Sequence, residues 1–411
     1  MAYIGHFCGI FRITGYCLAY QENSGNQIFG SIKCSIFERY KSVVKCEVKK
    51  RKMGYENVNS KKKHLDWIDL IRCFAICTVI LIHVLQDTYS YELDILPYAG
   101  TGKQFVELGL FTIGRLGVPL FVLISGFLLL DREYNVARTK KFWTRNVFGI
   151  FLASEIWIVI YNLFLAWYSG KSVVGWKLFQ NMFFLREVDF THNPVWYLPM
   201  ILGLYIFIPY VANALQSVNE KLLIFPFSIV LAYLYVLPVV NIVREAMLLE
   251  PLTRLPGLEF GGGTYGVLLI IGYLKKKGAF EKIATIVLYA IGIVSFGVLV
   301  GIEIFCYEHQ VAYQVWYNCI FILITAICIF EIISRWNQIP CKKIVRSLAT
   351  CSFGIYLIHK PILMVIQRYV VIERNSVQLV VTCILTLVIS WGAVWLLNKV
   401  PKLGRILFFI R

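Results

Sequence analysis

Residues 67 to 86 read WIDLIRCFAICTVILIHVLQ, which is about the length a helix needs to cross the hydrocarbon of a bilayer. Asp69, Arg72 and His83 are the only ionisable residues in it. Runs of this kind recur as far as residue 400, separated by polar segments, and a soluble chain does not repeat them. The composition agrees. Hydrophobic residues make up 58% and charged residues 16% of the 411, against roughly 25% charged in a soluble globular protein. The expected fold is all-α and polytopic, with about ten transmembrane helices in one bundle. They are expected near 67–86, 108–130, 146–168, 196–213, 222–240, 262–274, 283–302, 312–332, 350–369 and 377–398. The sixth is short and opens on Gly261, Gly262 and Gly263, as a broken or tilted span would.

The formal charge of +17 does not point to nucleic acid, because that reading needs a basic face on a soluble domain. Residues 1 to 52 carry nine Lys and Arg against three Glu. Most of the remaining cations fall in alternate loops. With the N-terminus inside, 21 Lys and Arg lie on cytoplasmic segments and 7 on external ones, a strong positive-inside bias over short loops. A multi-pass protein of the cell membrane with both termini cytoplasmic is therefore expected. Residues 1–64 are expected as a cytoplasmic extension, 65–400 as the membrane domain and 401–411 as a short cytoplasmic tail. Met53, which opens a polar lead-in, is a candidate start site. None of the twelve cysteines stands in a Cys-x-x-Cys pair, so neither a disulfide framework nor a metal site is implied.

An ionisable residue inside a span costs about 2.5–3.5 kcal/mol on insertion scales, so each one needs an explanation. Asp69 and Arg72 are three apart on a helix, close enough to pair. His83 follows Arg72 by eleven residues, which returns it to within roughly 20° of the same face and about 16 Å farther along the axis. One stripe thus carries a cation near the cytoplasm and an imidazole in the outer half. Asp87, one turn on, is placed to orient that ring, as a general base requires. Arg115 and Glu155 are expected to pair across the bundle. His359 lies at a helix end beside Lys360 and Pro361, where a structural role is the plainer reading. An aromatic belt accounts for Trp196 and Tyr197 beside His192.

Four motifs then resemble one family. The run Ile68-Asp69-Leu70-Ile71-Arg72 with Ala75-Ile76 and His83 is similar to the first-helix signature of the acyltransferase-3 family of membrane O-acyltransferases. Gly117-Val118-Pro119-Leu120-Phe121 with Ile124-Ser125-Gly126-Phe127 resembles its second-helix motif, and Ser125 joins the candidates through it. Val195-Trp196-Tyr197-Leu198 with Gly203-Leu204-Tyr205 and Pro209 resembles its fourth, and Ser352 to His359 its ninth. The resemblance implies a ten-helix domain that moves acyl groups, usually acetyl from cytoplasmic acetyl-CoA, onto glycans. It also implies that the positions of Arg72 and His83 are essential. An Arg-x-x-Arg motif found in many members is incomplete here, since Arg145 is followed by Phe148. Binding of the acyl-CoA head is therefore expected to involve Arg72 and the basic loop from Arg132 to Arg145, with Arg138, Lys140, Lys141 and Arg145 in it. His83 would act as general base or as acyl carrier. The competing reading is a transporter or flippase for an anionic or sugar-containing substrate; it predicts inverted repeats, and none is legible. A scaffold would not need a charged stripe.

Overall fold

In the computed structural model the protein is described at residues 64–88, 102–170, 175–252, 263–309, 311 and 316–409. The N-terminal extension up to residue 63, the candidate start at Met53 and the last two residues lie outside them. The described residues form helices and loops, with no strand among them. Eight helices are long and apolar enough to cross a membrane: α1 (Asp66–Thr88), α2 (Phe105–Leu129), α3 (Val136–Ser169), α4 (Pro194–Ser217), α5 (Lys221–Ala246), α7 (Thr285–Glu308), α9 (Lys342–Tyr369) and α10 (Asn375–Asn398). The shorter helices α6 (Gly263–Lys276) and α8 (Ile320–Ser334) stand where the sixth and eighth spans were expected. The chain is an all-α polytopic membrane protein. Helices suit this solvent because lipid offers no partners to backbone N–H and C=O groups, and a helix satisfies them internally.

Two helices begin earlier than hydropathy suggests. α3 starts at Val136, where the Asn135 side chain caps it by accepting from the Arg138 N–H at 2.9 Å. The basic segment after Arg132 is consequently helical, and it continues through a π turn at Trp143–Val147 into the apolar part. α9 starts at Lys342. There Lys342 and Arg346 reach the Asp66 carboxylate at 2.9 and 3.2 Å, tying the beginnings of α1 and α9 together.

The helices are unequally buried. In α1, α2 and α9 the span windows are 67%, 78% and 67% buried, but in α5, α7 and α10 only 17%, 22% and 28%. Every ionisable candidate except Glu155 and the basic residues of α3 sits on one of the three inner helices. Close approach of backbones builds this centre, as is usual where helices pack without a hydrophobic driving force between them. A Cβ on Gly126 would lie 2.0 Å from the Leu269 carbonyl oxygen of α6, and one on Gly272 would lie 2.2 Å from that of Leu123. After residue 400 the chain forms α11 (Pro401–Phe408). Phe408 is buried against Trp157, whose indole N–H donates to the Leu407 carbonyl at 2.7 Å. Part of the expected tail is thus a helix docked on the bundle.

Candidate active site

Arg72, Val79, His83 and Gln86 form one stripe along α1, and the stripe lines two cavities in succession. The first, of about 480 Å³, holds Arg72 and Arg132 among apolar walls from α2, α4, α9 and α11, including Phe121, Ile124, Phe353 and Phe408. The second, of about 310 Å³, holds His83, Gln86, Arg115 and His192 together with Trp196, Tyr265, Trp316 and Tyr317. Val79, Val118, Tyr197 and Tyr356 line both. These four side chains therefore make the neck between the Arg72 end and the His83 end. The neck is held in place: the Tyr356 hydroxyl donates to the Pro194 carbonyl, and its ring meets Tyr197 edge-on at 5.3 Å.

His83 is buried at the surface of the second cavity. Its neighbour is His359 of α9, with ring centroids 5.2 Å apart and planes inclined by 38°. The His359 Nδ1 faces the Tyr356 carbonyl at 2.6 Å. A carbonyl only accepts, so Nδ1 carries the proton, and the neutral ring keeps its lone pair on Nε2. That Nε2 and the Nδ1 of His83 are both buried without a hydrogen-bond partner among the described residues. The second histidine, which the sequence reading gave a structural role, thus stands directly beside the first.

Asp87 does not orient His83, contrary to expectation. Its carboxylate accepts from Lys360 Nζ at 2.8 and 3.1 Å and pairs with His192 Nδ1 at 3.1 Å. The reason is positional: one helical turn beyond His83, Asp87 meets the almost fully buried ammonium of α9, and a desolvated cation competes for a carboxylate better than a neutral imidazole does. The expected pair of Arg115 and Glu155 is also absent. Glu155 accepts from the Phe183 backbone N–H at 3.1 and 3.3 Å. Arg115 stands where α2 is broken by a turn at Arg115–Leu116, and its guanidinium lies over the rings of Phe111 and Trp316.

The remaining candidates divide. Asp69 lies 3.6 Å from Arg72 and 4.0 Å from Arg346, and so steadies the cationic end of the stripe. Ser125 lines the first cavity; it donates to the Phe121 carbonyl and lies 3.0 Å from the Tyr205 hydroxyl. Trp196 packs with Tyr265 and Tyr317 in the second cavity wall. Arg138, Lys141 and Arg145 are exposed on the start of α3 and line neither cavity. Of the basic segment from Arg132 to Arg145, Arg132, just ahead of the helix cap, is the cation that lines the cavity with Arg72. Lys360, His192 and Gln86 were missed as site residues. Only Lys360 left a signal, as a lysine in an apolar helix beside a histidine.

Residues 65–395 match the sequence model of a family described as an acyltransferase domain. Among curated proteins the chain is similar to Nodulation protein 10 of Rhizobium leguminosarum bv. viciae, at 30% identity over 144 residues, which are 35% of this chain and 36% of that protein. The match therefore spans about a third of that relative's length. No solved structure matches the chain at a significant level.

Proposed function

Because the chain belongs to the acyltransferase-3 family and is a membrane acyltransferase, we propose that it transfers an acyl group, acetyl in the first instance, from cytoplasmic acyl-CoA to a hydroxyl of a cell-surface or lipid-linked glycan. The observation that carries this reading is the single α1 stripe lining two cavities with a common neck. The Arg72 end suits the donor, since two guanidiniums can hold phosphate oxygens while the apolar walls accept a thin pantetheine arm. The His83 end suits the acceptor. Trp196, Tyr265, Trp316 and Tyr317 offer flat apolar faces and polar tips, which match the C–H faces and hydroxyls of a sugar.

His83 lines the second cavity, one helical turn beyond Val79 of the neck. As general base, it takes the proton from the acceptor hydroxyl as that oxygen attacks the thioester carbonyl. The carbon–oxygen bond forms, the carbon–sulfur bond breaks, and the imidazolium returns the proton to the departing thiolate. As acyl carrier, its nitrogen attacks first, the thiol leaves, and the sugar hydroxyl then takes the acyl group. His359, with its fixed tautomer, keeps a lone pair beside the His83 ring in either case. The site lies in the cell membrane with both termini cytoplasmic. Mass spectrometry of surface polysaccharide tests the proposal: a deletion strain should lack an alkali-labile acyl mass that its parent carries. If the acyl content per sugar of glycan from whole cells is equal and the glycan is instead missing from the surface, the transporter reading is right.

A further inference from the structure

A third cavity, of about 250 Å³, adjoins the His83 cavity on the side away from Arg72. Gln86 and His192 line both, so the two are neighbours that share these side chains. It is polar in an unusual way for a membrane domain. Asp87 and Lys360 neutralise each other in its wall, Thr191 and Gln367 add a hydroxyl and a second amide, and Tyr168 and Met364 supply apolar surface. Gln86 is largely buried as a residue, but its amide opens onto the cavities and makes no hydrogen bond to another described residue. An amide that faces two cavities at once, with its donors and acceptor uncommitted to the protein, is a group set for a ligand.

We propose that this cavity is a second acceptor subsite, which holds the sugar unit next to the one being acylated. The inference rests on the glycan reading above and deepens it: the acceptor is an oligosaccharide or polymer, not a free monosaccharide. Uncharged amides, a hydroxyl and an internally paired carboxylate recognise vicinal hydroxyls. A free phosphate would meet the Asp87 carboxylate, with the Lys360 cation already engaged. The volume holds about one pyranose ring. Gln86 sits at the junction, where its amide can bind both units across the glycosidic link and set which hydroxyl faces His83.

The test uses the full chain in proteoliposomes with radiolabelled acetyl-CoA. Acceptors are prepared from the deletion strain's own surface polysaccharide, hydrolysed and size-fractionated into mono-, di- and tetrasaccharides. The disaccharide should show a KM about tenfold below the monosaccharide's, and the tetrasaccharide little further gain. In Thr191→Val and, separately, Gln367→Leu, that disaccharide advantage should shrink to under threefold. A parental KM that does not depend on acceptor length overturns the subsite and leaves the glycan reading intact. So does a full disaccharide advantage in both variants. Absence of transfer to every carbohydrate fraction overturns both.

Discussion

The two ends of α1 face cavities that share a neck but little chemistry. At the Arg72 end the walls are aliphatic and aromatic, and charge is confined to two guanidiniums with Asp69 behind one of them. At the His83 end His83, Arg115, Glu187 and His192 stand among six large aromatics, with His359 and the Asp87–Lys360 pair packed behind. In the proposed function the first grips a charged head and admits an apolar arm, which is a matter of affinity. In the same proposal the second holds the proton acceptor, which is a matter of rate. Substitutions at the two ends should therefore fail in different ways.

The largest effect is expected at His83. His83→Ala should remove transfer by on the order of 10²–10⁴-fold, the usual range for a lost general acid or base, while the protein still inserts and accumulates. Saturating acyl-CoA should not restore it. Near-parental turnover at equal protein level would mean that the His83 end does no chemistry. The neck comes next: Val79→Phe should cost on the order of 10²-fold in transfer, as misplacement of reacting groups by about 1 Å does, yet spare acyl-CoA binding in a direct binding assay. If donor binding and transfer fell together, the two cavities would be one site.

Arg72→Ala should lower kcat/KM by roughly 10- to 100-fold, as expected when a charge-assisted contact of about 1.5–3 kcal/mol is lost. Unlike His83→Ala it should be rescued in part by excess donor, because the damage lies in binding. A kcat defect without a change in KM would assign Arg72 to the chemistry. The smallest effect belongs to Arg138→Ala, which should change kcat/KM by less than twofold because this exposed residue lines neither cavity. Arg132→Ala should exceed it several-fold; the reverse order would return donor binding to the α3 surface.

Much of this molecule is legible in one dimension. Solvent dictates its class, because lipid forces each span to be about twenty apolar residues long and to satisfy its own backbone; counting such runs leads to about ten spans, and among the described residues eight helices of spanning length and two shorter ones stand at those places. The helical repeat likewise puts Arg72, Val79, His83 and Gln86 on one face of α1 with no partner helix in view. Which charges meet across the bundle is not written in any local pattern. Asp87 looks like the orienter of His83 from four residues away, yet Lys360, 273 positions on, takes the carboxylate. Glu155 and Arg115 look like partners until the Phe183 backbone takes one and aromatic rings take the other. Arg138 and Lys141 look like donor ligands until the Asn135 cap winds them onto an exposed helix face. Periodicity sets the face a residue occupies, because that depends on its own helix alone. Partnership depends on desolvation and distance between helices, and so the tertiary packing decided it.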